Sequence, residues 1–210
     1  MITCLTANAS LARKNVLRDR TTSQIELHAM SRQLGQDVGD RISSELLVEE
    51  QEFTTASSNN VSDIFFTHAT TVVISTKGDY ELFGFGVADR LRRSVRGYMN
   101  FDGIQGEQAL NAQVREMVLP DVNGPVDLLV VSKAVLATGC TAVGLARTAF
   151  TKYMPKHLVV ASIFYTPAGL NEVRGHLPSA DIFLVGQPDR LNDDGTMYPG
   201  FGYFDGRLHA

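Results

Sequence analysis

Residues 126–141 read VDLLVVSKAVLATGCT, and the fold follows from how this stretch is read. Val126–Val131 is a near-continuous apolar run, the pattern of a strand buried on both faces rather than one. A small-residue turn follows, Ala137-Thr138-Gly139-Cys140-Thr141, and then a helical pattern from about Ala142 to Tyr153. The same alternation repeats downstream. Leu158–Phe164 is a second apolar strand, Pro167 suits the first turn of a helix over Ala168–His176, and Ile182–Val185 is a third strand. Buried strands alternating with helices predict a doubly wound α/β fold, a mostly parallel sheet covered on both sides.

Toward the N-terminus the signals are weaker. Residues 1–20 are polar and basic and read as an arm. Thr22 or Ser23 caps a helix starting near Gln24, with Leu27, Met30, Leu34, Val38, Ile42 and Leu46 on one face. Gly35 and Gly39 weaken that helix slightly. Residues 54–62 read as a polar loop, Asp63–Phe66 and Thr71–Ser75 as strands, and Lys77-Gly78-Asp79 as a turn. Val87, Leu91 and Val95 suggest a helix, residues 97–101 a short strand, and residues 102–113 a mobile loop. From Pro188 the chain reads as an ordered loop region capped by a hairpin.

With 210 residues and 44% apolar content, the chain suits one domain, residues 1–210. A net charge of -4 argues against nucleic acid or an anionic membrane as partner. No apolar run approaches the roughly 20 residues that span a bilayer, and no secretory signal is visible. Two cysteines and five histidines show no metal-ligand spacing, so no protein-held metal is expected, and the cytoplasm is the expected compartment.

The turn at 137–141 sits where open α/β sheets bind ligands, at the carboxyl end of a strand. Its amides and the helix dipole favour an anion there. Gly139 permits close backbone approach, while Thr138 and Thr141 supply hydroxyl donors. Read locally, the segment is either a monophosphate cradle or a plain turn with a capped helix.

Three motifs carry a resemblance to a known family. V-L-A-T-G-C-T (135–141) resembles the 5-phosphate loop D-P-M-L-A-T-G-G-S/T of uracil phosphoribosyltransferases. L-N-D-D-G-T-M-Y-P-G-F-G (191–202) resembles that family's L-N-E-x-G-Y-I-x-P-G-L-G, and L-R-D-R-T-T-S (17–23) its L-R-D-K-x-T-S. The resemblance implies a type I phosphoribosyltransferase fold that transfers ribose 5-phosphate from phosphoribosyl pyrophosphate (PRPP) to uracil with Mg2+, as a homodimer or higher oligomer. It implies phosphate binding by Ala137, Thr138, Gly139, Cys140 and Thr141. The C-terminal segment 187–210 would hold the base, through Met197, Tyr198, Pro199, Gly200, Gly202 and Tyr203.

The departures fall on functional positions. Lys133 stands where the family pattern has a carboxylate facing the ribose hydroxyls. The pyrophosphate loop P-I-L-R-A-G-L-G corresponds to residues 79–86 (DYELFGFG), which keep Gly84 and Gly86 but replace the arginine by Leu82 and add Asp79 and Glu81. Tyr203 stands where an aspartate is expected. Each lost charge–phosphate contact costs roughly 1.5–3 kcal/mol, so PRPP and uracil turnover is expected to be weak or absent.

Several residues carry two readings. Cys140 is a helix-terminal nucleophile or a small filler; Lys133 is a reactive or phosphate-binding lysine or a solvated one. Arg90, Arg92, Arg93 and Arg96 form a solvated helix face or a nucleotide patch. Tyr198, Phe201, Tyr203 and Phe204 form an aromatic wall for a flat ring, a core contact or a dimer contact. Three functions therefore stand side by side: a uracil-type phosphoribosyltransferase, a homologue repurposed for another phosphorylated or anionic small molecule in a specialised biosynthetic pathway, and a non-catalytic nucleotide sensor or assembly subunit.

Overall fold

Leu128–Ser132 forms strand β7, and the alternation of its side chains organises the molecule. Leu128 and Val130 join one hydrophobic cluster; Leu129 and Val131 join another on the opposite face. The computed structural model describes residues 1–101, 114–193, 195–202 and 204–209, with only the backbone described for Phe204, Asp205 and His209. In chain order the elements are β1 (Ile2–Leu5), α1 (Asn8–Arg18), α2 (Gln24–Leu46), β2 (Val48–Thr54), β3 (Asn60–Phe66), β4 (Thr71–Thr76), α3 (Phe83–Asp89), β5 (Ser94–Asn100), β6 (Glu116–Val118), β7, β8 (Val135–Leu136), α4 (Cys140–Tyr153), β9 (His157–Ser162), β10 (Phe164–Tyr165), α5 (Pro167–His176), β11 (Asp181–Val185), β12 (Arg190–Leu191), β13 (Met197–Tyr198) and α6 (Phe204–His209).

Among the described residues the main sheet has seven strands, ordered β1-β11-β9-β7-β4-β5-β6. Its strand pairs are parallel except β5 with β6. Apolar residues of α1, α2 and α3 fill one face and those of α4 and α5 the other, so the sheet is doubly wound as expected. After β4 the chain first adds β5 on one side and later β7 on the other. The gap between the carboxyl ends of β4 and β7 is therefore the topological switch point, where such sheets bind ligands.

Three sequence expectations change. The supposed arm is β1, paired in parallel with β11, followed by α1. Its basic residues are used inward: the buried Lys14 donates to the carbonyls of Val185 and Gln187, and Arg18 pairs with the buried Asp189. Burial is the main cause that lowers the Lys14 pKa to about 8, with Arg18 adding and Asp189 and Cys4 opposing. Next, residues 48–66 form a β2–β3 hairpin, which leaves only 55–59 as the turn. Finally, the helix suggested by Val87, Leu91 and Val95 stops at Asp89, because Ser94–Asn100 pairs with β4 as a strand. The stretch 102–113 lies outside the described residues.

The two glycines of α2 serve packing. A Cβ on Gly39 would come within 2.6 Å of the Val87 carbonyl oxygen, and one on Gly35 would collide with that of Phe83. From the other side, a Cβ on Gly86 would collide with the Arg32 carbonyl. Helices α2 and α3 thus touch backbone to backbone. Gly86→Ala must push them apart and is expected to cost about 1–3 kcal/mol, read as a lower denaturant midpoint at unchanged slope.

Candidate functional site

Two adjacent strands end in opposite charges. Just beyond β4, the carboxylate of Asp79 accepts hydrogen bonds from Thr76 Oγ1 at 2.7 Å and from Lys133 Nζ, just beyond β7, at 2.8 Å. The Asp79 side chain is 2% exposed and that of Lys133 14%. The anion is interior and the cation is its more solvent-exposed side. The solvated reading of Lys133 from sequence is corrected: its side chain is mostly buried and pairs with a buried carboxylate. Glu81 lies 3.8 Å from Arg96, so both acidic residues of this loop have a cation beside them.

The rest of the 77–82 turn is held from outside. Arg96, on β5, donates to the Tyr80 carbonyl at 2.9 Å and stacks between the rings of Tyr80 and Phe85, 4.4 and 4.8 Å from their centroids. Arg32, on α2, donates to the Glu81 carbonyl at 2.8 Å and lies 5.0 Å from the other ring contact, Phe85. Arg90 lies near Asp40 and Asp89, and Arg92 sits over Phe66. The four arginines therefore do not form one helix face. Leu82 is buried in the core, and Gly86 packs on α2. Gly84 covers the hydroxyls of Ser75 and Ser132, buried register partners that have no hydrogen-bond partner among the described residues.

The 137–141 turn has the expected strand–turn–helix context. Gly139 caps α4 with φ 80°, a left-handed conformation that suits glycine, and a Cβ there would come within 2.5 Å of the Gly169 carbonyl oxygen. Thr166 Oγ1 donates to the Ala137 carbonyl at 2.6 Å and so ties the turn to α5. Thr138 and Thr141 remain partly exposed. The Cys140 thiol is buried, 3.8 Å from the Thr138 carbonyl and 4.0 Å from the Glu172 carboxylate. This environment suits the filler reading.

The C-terminal segment reaches the same edge through Phe201. Its ring centroid lies 4.5 Å from that of Phe164 in β10, which pairs with β8 immediately before the turn. Met197 packs partly against the core, Tyr198 is exposed, and the Tyr198–Pro199 peptide is cis. Gly200 and Gly202 have φ of 65° and 72°. Tyr203 lies outside the described residues. Arg207, which sequence reading did not single out, donates to the carbonyls of Leu17, Phe201 and Asp19 and clamps this segment to α1.

Among the described residues, no side-chain cluster fits magnesium here. Asp79, the carboxylate at the switch point, is already engaged by Lys133 and Thr76, and no cluster of three metal-ligating side chains occurs among the described residues.

Lys133→Met leaves the Asp79 carboxylate buried without its cation and is expected to cost about 3 kcal/mol in urea unfolding. The double variant Lys133→Met/Asp79→Leu is expected to recover to within about 1 kcal/mol of the parent. A single variant as stable as the parent would contradict the pairing.

Comparisons with known proteins bear on the family and the fold. The family pattern described as uracil phosphoribosyltransferase matches residues 8–210. The uracil phosphoribosyltransferase of Natronomonas pharaonis is 38% identical over 84 residues, a match that spans 40% of this chain and only 37% of that protein. That of Thermococcus gammatolerans is 22% identical over 89% of this chain and 82% of its own. In structure, the AQ2163 protein from Aquifex aeolicus superposes with a TM-score of 0.81 at 25% identity, covering 100% of this chain and 98% of the other. With its doubly wound, mostly parallel sheet, the chain belongs to the uracil phosphoribosyltransferase family.

Proposed function

We propose that this chain is an enzyme that binds a phosphoribosyl ligand, with its 5-phosphate on Ala137–Thr141 and a small ring on the Met197–Gly202 side. The observation that carries this reading is the turn itself. Gly139 holds a left-handed φ of 80° at the N-terminus of α4, with the partly exposed Thr138 and Thr141 close to it in the chain, which supports an anion site there. Family membership points to transfer of ribose 5-phosphate from PRPP to uracil. In that reaction the C1–O bond to pyrophosphate breaks, C1 bonds to a ring nitrogen, and that nitrogen gives up its proton. The transition state has oxocarbenium character, so positioning and charge stabilisation carry the catalysis.

A second reading is a homologue repurposed for another anionic substrate. The Lys133–Asp79 pair favours it, because an ammonium replaces the carboxylate that would accept hydrogen bonds from the ribose hydroxyls. The buried Leu82 contributes no charge to a pyrophosphate. The test is UMP formation from uracil and PRPP with magnesium. We expect turnover well below about 1 per second; a rate within the ordinary enzyme range of about 1–1000 per second would overturn the second reading.

The proposed compartment is the cytoplasm, on the ground that Cys4 and Cys140 are free thiols rather than a disulfide framework. A homodimer is proposed as well, on different grounds from the aromatic tail. Phe201 is packed inward, whereas Ile64, Phe65 and Phe66 of the β2–β3 hairpin are exposed. Light scattering is expected to give about twice 22.9 kDa at micromolar concentration; a mass near 22.9 kDa would remove the dimer.

A further inference from the structure

We propose that helix α1 is the positioning element of the ring side: Lys14 and Arg18 hold one end of the stretch that carries Met197–Gly202, and Arg207 ties its other end to the last carbonyls of the same helix. The proposal rests on the reading that Met197–Gly202 faces a ring and Ala137–Thr141 a phosphate.

Topology gives the ring side two roots. Strand β13 (Met197–Tyr198) pairs antiparallel with β12 (Arg190–Leu191), and β12 follows β11 through residues 186–189. The first root is therefore 185–189. Lys14 donates to the carbonyls of Val185 and Gln187 there, and Arg18 pairs with Asp189. The Asp189 side chain is 1% exposed, so its carboxylate is stable in that place only with the cation beside it. The second root lies beyond Gly202. Arg207 donates to the Phe201 carbonyl at 2.8 Å and to the carbonyls of Leu17 and Asp19. Those two carbonyls stand at the C-terminal end of α1, where a helix leaves its acceptors unpaired and favours a cation.

Between the roots, the same two cations of α1 reach the ring on which Phe201 packs. Lys14 Nζ and the Arg18 guanidinium each lie 5.4 Å from the centroid of Phe164, and that centroid is 4.5 Å from the centroid of Phe201. The phosphate side is held by other elements. Thr166, the cap of α5, donates to the Ala137 carbonyl, and Gly139 lies against the Gly169 carbonyl of α5. A change in the α1 contacts therefore acts on the ring segment and leaves the 137–141 turn in place.

The test measures UMP and ribose 5-phosphate, which share the phosphate and differ by the ring, in calorimetric titrations of the parent, Arg207→Met, Arg207→Lys and Lys14→Met. The parent is expected to bind UMP about tenfold or more tightly than ribose 5-phosphate, the gain from burying one flat ring. Arg207→Met and Lys14→Met are each expected to lower UMP affinity about tenfold and to change ribose 5-phosphate affinity by less than about threefold. Arg207→Lys, which keeps a cation at the helix end, is expected to retain most of the UMP affinity. Hydrogen exchange reads the same effect without ligand: amides of residues 185–193 and 195–202 are expected to exchange faster in both Met variants, with those of α4 unchanged. Melting curves establish that the variants fold; should Lys14→Met not fold, the two Arg207 variants carry the test. Equal losses for both ligands overturn the proposal, as do variants with parental UMP affinity and parental exchange. A parent that binds ribose 5-phosphate as tightly as UMP removes the ring reading of Met197–Gly202 and the proposal with it, whereas failure of both ligands to bind overturns the phosphate reading of residues 137–141.

Discussion

A carboxylate buried at the end of a central parallel strand is stable only with a cation beside it, and Asp79 sets that condition for this molecule. Lys133 meets it from the adjacent strand, and Thr76 contributes a second donor. The consequence spreads along both strand ends. The 77–82 turn must curl so that the Asp79 side chain faces inward, and Arg96 and Arg32 then grip the carbonyls of Tyr80 and Glu81 that this curl turns outward. In the family pattern the same edge carries a carboxylate at the Lys133 position and an arginine at the Leu82 position. Here the charges are redistributed: the carboxylate moves to the β4 side, the cation to the β7 side.

Much of the fold was legible because burial writes itself into composition. Val126–Val131, Leu158–Phe164 and Ile182–Val185 are apolar at nearly every residue, the pattern of a strand covered on both faces. The α2 start was legible through Ser23, whose side chain does accept from the Glu26 amide. The first twenty residues were misread because charge was taken as exposure. Lys14 and Arg18 are polar at their tips, but their stems are buried and their heads are satisfied by carbonyls and Asp189. Val95 was misread because one residue at helical spacing carries less weight than a strand-pairing opportunity with β4.

At the candidate site, the 137–141 turn was visible from local chemistry alone, since Gly139 is required by backbone conformation. The Asp79–Lys133 pair was not, because its members stand 54 positions apart and meet only through strand order. The available signal was complementary: two departures from one family pattern, opposite in charge, at the ends of strands that a doubly wound sheet places side by side. Taken one at a time they looked like separate departures; in the structure the two side chains pair.

Helix α2 touches both halves of the proposed site. Near its start, Gln24 donates to the Leu208 carbonyl at 3.1 Å, and the His28 ring lies 2.6 Å from the same oxygen, at the base of the C-terminal segment. Two turns on, Arg32 holds the 77–82 turn, and Gly35 and Gly39 press on α3. The span from Gln24 to Arg32 is about 12 Å of hydrogen-bonded helix. The helix is thus a strut: it fixes the separation between the segment proposed to hold the ring and the turn beside Lys133. On the proposed reading such a frame sets the length of ligand that fits, as a caliper does, and a change at either end is transmitted to the other through a rod that has little room to bend.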